Sequence, residues 1–340
     1  MNSEPVFKSV LTPFFQSYMD DFEARGKSNV RLRYVLRSID KYLCSVSYIH
    51  DYITQTAYDG WAASMEGLDM KTIYENKKTA IAFCRYMCEL GHDSYIAPMP
   101  KWRQPDYIPY IYSEDELTSI FKATDNWRDH QNGKSSTALI MPAFVRLLYS
   151  TGMRAGEALD IRNRDVDFNR HVICLCYTKN REDRLAPINP SLEMVLKQYI
   201  RYRNQLPIDG IDRPDGYLFV NLRGERCLHS AVLRRYRLML KSAGVPFSPS
   251  ENIPRLHDLR HTACVHSLVR MVRNGYDPYV CLPMLCKFMG HHDVDATEYY
   301  LRLTKDMYPD LIKMDATVTS MVKDVISRAL IIKDNEGQTS

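Results

Sequence analysis

Thr151-Gly152-Met153-Arg154-Ala155-Gly156-Glu157 is the stretch from which the second half of the chain can be laid out. Residues 137–150 before it carry a helical apolar pattern, and Thr151-Gly152 reads as the turn that ends it. Arg154 then stands at the mouth of a short helix reaching residue 161, where unpaired amides favour an anion. An ordinary helix-start arginine would look the same from sequence. Glu157 either orients Arg154 or complements the helix N-terminus.

A strand-rich insert follows, with strands expected over 165–168, 171–178 and 184–188 and turns at Asn169-Arg170 and 180–183. Helices resume over 191–204, and a short strand is expected over 217–220. Further helices are read over 229–243, 257–273, 279–289, 294–303 and 316–332, before a frayed tail over 334–340. Upstream, residues 6 to about 96 read as helices throughout. One spans 6–22, and another spans 30–48 with Leu32, Val35, Leu36, Ile39, Leu43 and Val46 at helical spacing. A less regular helix covers 51–65, and a long amphipathic one covers 71–90, closed by Gly91.

Pro98, Pro100, Pro105 and Pro109 break this pattern. Proline fixes φ and has no amide donor, so the stretch reads as extended linker. Ser113-Glu114-Asp115-Glu116 opens the next helix as a capping box. The expected organisation is a helical domain over 1–97, a linker over 98–112, a second domain over 113–333 and the tail. The fold class is mainly α with a small antiparallel β-sheet: an all-α first domain, then an α+β domain.

The bulk properties constrain function only weakly. The 340 residues carry a net charge of +4, with 45% hydrophobic and 25% charged, as an ordinary globular chain does. Charge distribution is more informative. Arg25, Lys27, Arg31, Arg33 and Arg37 are uninterrupted by an acid, and 222–241 holds six basic residues against Glu225 alone. Either patch could track a phosphate backbone, or be a solvated helix face. The nine cysteines are odd in number and contain no CxxC pair, which fits reduced thiols in the cytoplasm. No signal peptide or membrane-spanning run is read, and no membrane partner is expected.

The chemistry-bearing residues come in the order Arg154, Lys179, His257, Arg260, His291, Tyr300. With ten histidines in the chain, one His-x-x-Arg is expected by chance, so His257 and Arg260 matter only through their company. On a helix they share a face. Lys179 ends a strand at a hairpin tip, where a lysine is usually solvated but can also swing into a cleft as a proton donor. Gly290 caps a helix and would project His291 at a defined angle, with His292 toward solvent. Fixed positive charge plus one hydroxyl is what phosphodiester transfer requires when metal ligands are lacking. No cofactor and no metal are expected.

These motifs, read together with Arg184-Leu185-Ala186-Pro187 behind Lys179, His257-Asp258-Leu259-Arg260-His261-Thr262, and Gly290-His291 nine residues before Tyr300, resemble the tyrosine recombinase (phage integrase) family. The likeness covers the whole second domain in order, and the first resembles the family's SAM-like core-binding module. Ala296-Thr297 stands where two threonines are common, and Arg302 where a histidine often follows the tyrosine. With no arm-binding domain read ahead of residue 6, a simple Xer-like or transposon-type integrase is expected.

The resemblance implies that Arg154 and Arg260 bind the non-bridging phosphate oxygens, while His257 and His291 add hydrogen bonds. His257 is also a candidate acceptor for the phenolic proton, and Lys179 is the general acid for the departing 5′ oxygen. Tyr300 is the nucleophile. Tyr299 is the rival, pointing about 100° away on the same helix. The implied partners are double-stranded DNA with paired core-type inverted repeats and further copies of the chain, tetrameric on DNA and monomeric when free. An accessory directionality factor is compatible with this scheme, and residues 314–332 read as a helix for docking on a neighbouring subunit. Three other readings stand beside it. One is a metal-dependent hydrolase using His257, His261 and His266, or His291 and His292; His257 and His261 have the i, i+4 spacing of a zinc helix but lack the adjacent glutamate. The others are a type IB topoisomerase-like DNA-relaxing enzyme and a non-catalytic DNA-binding regulator.

Overall fold

Pro13 sets where the first helix begins. Proline suits a first turn because its φ is preset and its missing amide is not needed there. Helix α1 therefore runs Thr12–Ala24, later than the start at residue 6 expected from spacing. The segment ahead of it is pinned by Asp40 of α2 (Val30–Ser45), a buried carboxylate. It accepts from the Lys8 amide at 3.0 and 3.1 Å and from the Ser9 amide at 2.8 Å.

The computed structural model describes residues 7–26, 29–101, 108–127, 133, 136–176, 183–245, 254–290, 300 and 304. Lys179, His291, the helix expected over 316–332 and, Tyr300 apart, that over 294–303 lie outside the described residues. The chain divides into two compact units, Met1–Tyr107 and Ile108–Ser340.

In the first unit, α3 (Gln55–Ala63) and α4 (Met70–Glu89) start on Thr54 and Asp69, whose side chains accept from the Ala57 and Thr72 amides. Phe15, Leu36, Trp61 and Phe83 fill the core among the four helices. Helix α2 turns Leu32, Val35, Leu36, Ile39 and Leu43 inward and leaves Arg31, Arg37 and Lys41 exposed.

The second unit opens with Ile111 and Tyr112 buried in its own core. The Ser113–Glu116 box then starts α5 (Glu114–Asn126), the Glu116 carboxylate accepting from the Ser113 amide at 2.8 Å. Next come α6 (Met141–Thr151), α7 (Ala155–Asp160), and a three-stranded antiparallel sheet in the order β1 (Val166–Asp167), β2 (Val172–Leu175), β3 (Arg184–Pro187). Helices α8 (Pro190–Arg203), α9 (His229–Ser242), α10 (Asp258–Arg273) and α11 (Pro278–Met289) follow. The strand expected over 217–220 is only a pair of isolated bridges, Arg162 to Tyr217 and Val220 to Arg226. Mainly helix with one small antiparallel sheet is the architecture of the described residues.

Helix α10 is the axis of this unit. Eleven of its residues, Leu259, Ala263, Val265 and Leu268 among them, are buried, and it lies against both α6 and α11. A helix covered on most sides can hold polar side chains in one orientation, since every alternative costs buried contacts. The sheet contributes an inversion. Ile173 pairs with Ala186 and Leu175 with Arg184, so Arg184 shares the inward face while Leu185 is 52% exposed.

Replacing Asp40 by alanine strands two amides and is expected to cost about 2 kcal/mol. Urea denaturation of the Asp40→Ala chain should show that loss; an unchanged midpoint would mean water serves those amides equally well.

Candidate active site

Helix α6 ends on Gly152, whose φ of 61° is left-handed backbone that glycine adopts without strain. A side chain there would also meet Met289 Sδ at 2.7 Å. That close approach brings the ends of α6 and α11 together. Arg260, from the first turn of α10, is 3% exposed and joins them. Its two terminal nitrogens donate to the carbonyls of Gly152 at 2.7 Å and Met289 at 2.6 Å. Both carbonyls sit at helix C-termini, where partial negative charge favours a cation.

Arg154 is the N-cap residue of α7. Its amide donates to one Glu157 oxygen at 3.0 Å and its guanidinium to the other at 2.8 Å. A longer contact of 3.5 Å reaches the Gly290 carbonyl. Glu157 is shared. Arg184, coming inward from β3, donates to the same carboxylate at 2.8 Å. Both Arg184 and Glu157 have side chains nearly out of solvent, at 12% and 8% exposure. Burial alone would raise the Glu157 carboxyl; the Arg184 hydrogen bond and the amide and guanidinium of Arg154 overcome it and hold it at about 2. It is therefore an anion at neutral pH.

The third guanidinium, Arg260, is lowered to about 10 by burial and by the charge of Arg154, yet is still protonated at neutral pH. His257 keeps an edge open to solvent. Even so, the protein around it, then Arg260, Arg255 and Arg154, depress it to about 4. Its imidazole is neutral at pH 7. One turn on, His261 lies edge to face with His257, ring centres 4.9 Å apart. The Nδ1 atom of His261 is 2.8 Å from the hydroxyl of Tyr300, whose side chain is buried.

Arg154, His257, Arg260 and Tyr300 thus converge at the meeting of α6, α7, α10 and α11, while Lys179 and His291 lie outside the described residues. Two residues join the group that motif reading had not singled out. From motif order, Arg184 is only one member of the run Arg184-Leu185-Ala186-Pro187. The spacing of Arg184 with Ala186 and Ile188, both buried, was the available signal. His261 shared a helix face with His257, but was weighed only as a zinc partner. Among the described residues, no group of three or more His, Cys, Asp or Glu is placed to hold a metal ion. Three guanidinium groups around one carboxylate leave an excess of positive charge, an arrangement suited to a phosphate.

Residues 111–307 match the phage integrase family. The putative integrase/recombinase y4rB of Sinorhizobium fredii is 27% identical over 233 residues, 68% of this chain and 74% of its own length. The tyrosine recombinase XerC of Bacillus pumilus is 27% identical over 250 residues, 71% of this chain and 73% of its own. Among solved structures, the XerH site-specific recombinase in a pre-cleavage complex superposes with a TM-score of 0.59 at 17% identity, covering 81% of this chain and 78% of that one. The Tn1549 transposon integrase reaches the same TM-score at 19% identity, covering 84% of this chain and 94% of that one. The chain belongs to the phage integrase family and is a tyrosine-type site-specific recombinase, an enzyme of DNA recombination.

Two outcomes follow from this geometry. Because Glu157 falls from an ordinary 4.5 to about 2 on folding, its contribution is complete above pH 4.5 and is lost as pH drops toward 2. The shift corresponds to about 3 kcal/mol. Acid titration of stability should show that slope, and Glu157→Gln should flatten it. For His257, NMR titration of the DNA-free protein should find the ring neutral at pH 5.5; a normal value near 6.5 would contradict the charge field described.

Proposed function

We propose that this recombinase cuts and rejoins duplex DNA through a covalent bond between Tyr300 and a 3′ phosphate. The observation that carries the reading is the placement of the Tyr300 hydroxyl on His261, beside the guanidinium cluster of Arg154, Arg184 and Arg260. A free phenol ionises near pH 10, so attack at neutral pH requires a proton acceptor or a positive field. The site has both. Arg154 and Arg260 bind the non-bridging oxygens as the phosphorus becomes five-coordinate, and neither loses its charge at neutral pH. Arg260 would exchange its carbonyl partners for phosphate oxygens. His257, being neutral, donates one hydrogen bond. His291 adds a further one, and Lys179 protonates the departing 5′ oxygen; these two roles rest on the sequence alone.

The energy of the broken bond is kept in the phosphotyrosyl link, so rejoining requires no ATP and no step demands a metal. The partners proposed are double-stranded DNA carrying paired inverted core sites and three further copies of the chain, two of the four cutting at a time. Similar chains are described on DNA: XerH on its difH substrate, and the Tn1549 integrase on transposon right-end and circular-intermediate DNA. Exposed Arg31 and Arg37 on α2, and Arg234 and Arg237 on α9, are the surfaces proposed to track phosphates. The cysteines are thiols, which suits action in the reducing cytoplasm.

A pool of random-sequence nicked duplexes tests the mechanism. The chain should yield an SDS-resistant protein–DNA band, Tyr300→Phe should yield none, and Arg154→Ala should slow its formation about 10²–10³-fold. A band that survives in Tyr300→Phe would move the nucleophile elsewhere. Affinity for duplex DNA should also fall steeply with salt, by close to 0.9 log units per neutralised phosphate for each tenfold rise. A flat response would detach α2 and α9 from binding.

A further inference from the structure

We infer that His261 is itself a catalytic residue, the base that takes the proton from the Tyr300 phenol. This deepens the function proposed above and rests on Tyr300 being the nucleophile. Three observations support it. The first is contact: His261 Nδ1 lies 2.8 Å from the phenolic oxygen, with the two rings 5.6 Å apart. That is within the reach a general base needs. His257, the acceptor expected from sequence, instead stands edge to face against His261.

The second is rigidity. His261 sits on α10 between buried Arg260 and buried Thr262, whose hydroxyl donates to the Asp258 carbonyl at 2.8 Å and accepts from the Tyr112 amide at 3.0 Å. A base held on a fixed helix loses little orientation before reaction. The third is basicity. Burial and the charges of Arg260, Arg255 and Arg154 leave His257 a weak base, with a value of about 4. The ring in contact with the phenol is the better placed.

The step balances as follows. The role requires His261 to enter with its proton on Nε2 and its Nδ1 lone pair toward the phenol. As the bond from Tyr300 oxygen to phosphorus forms and the bond from phosphorus to the 5′ oxygen breaks, the phenolic proton passes to Nδ1. The 5′ oxygen leaves with a proton from the general acid. In rejoining, a 5′ hydroxyl gives its proton back to the former general acid and bonds to phosphorus, the bond from phosphorus to the Tyr300 oxygen breaks, and the imidazolium returns its proton to the departing phenolate.

Covalent-complex formation is the readout, on a nicked duplex recovered from the random pool as a substrate. His261→Ala should form the complex at least 10²-fold more slowly, the size of effect a general base supplies, while binding that duplex with unchanged affinity. Added imidazole should restore part of the rate. His261→Asn presents a hydrogen-bond acceptor near the Nδ1 position but cannot take up a proton, and should stay at least tenfold slow. It also serves if the alanine variant fails to fold. Wild-type rates in either variant would overturn the inference. So would imidazole rescue of His257→Ala without rescue of His261→Ala, which would assign the proton to His257. Tyr300→Phe is the separate control: a covalent band there defeats the nucleophile assignment itself, whatever His261 does.

Discussion

Like charges held close together, with too little negative charge to neutralise them, are the constraint on which the second unit depends. Arg154 and Arg184 share one carboxylate, Glu157, and Arg260 is balanced only by two backbone carbonyls. At an effective dielectric near 20, two unit charges 4 Å apart repel by about 4 kcal/mol. Repulsion on that scale would scatter mobile side chains. Here it is contained, because each guanidinium is tied to something the fold cannot easily move. Arg260 is gripped by two helix ends, Arg154 by the carboxylate three residues along its own helix, and Arg184 by the strand that carries it inward.

The helix ends explain why the rest of the unit is built as it is. Carbonyls at the C-termini of α6 and α11 can face one guanidinium only if the two ends nearly touch. That closeness requires Gly152 against Met289 and Gly290 against Arg184, whose Nη1 would lie 2.9 Å from any added side chain. Both glycines also have positive φ, so each position meets a conformational and a steric demand together. The buried face of α10 supplies the other half: a helix fixed on several sides presents His257, Arg260 and His261 in one orientation. Function in this fold is a property of how three helices terminate around a fourth.

Much of that was legible in the residues. Helical spacing located the elements of the first unit and the long helices of the second, because those segments bury a single face and the pattern repeats every turn. The Ser113–Glu116 box was readable for the same local reason. Legibility failed where the deciding interaction is distant. The segment ahead of α1, which spacing assigned to the helix, is held by Asp40, more than thirty residues away. Residues 217–220 look like a strand but pair only at single bridges, since β-ladders are set by partners that local pattern does not contain. In the site, Arg154, His257, Arg260 and Tyr300 could be named from motif order, but their contacts could not. Arg184 carries no motif signal of its own, although it shares parity with buried Ala186 and Ile188. His261 was hidden because its partner lies 39 residues on, across a segment whose length says nothing about where a phenol will rest.

The inward arginine carries the last step. A strand that turns leucine to water and arginine to the interior forgoes burial worth about 2 kcal/mol and adds the desolvation of a charge. Nothing about the sheet requires this, since Leu185 and Arg184 could exchange faces by a one-residue slip of register. What opposes the slip is Glu157. Unpaired with Arg184, that carboxylate would be left with Arg154 alone in a nearly closed site, and its low ionisation range depends first on the Arg184 hydrogen bond. The register of the small sheet is thereby coupled to the charge state of the site. The sheet's inner face and the charge balance of the site are set by the same ion pair.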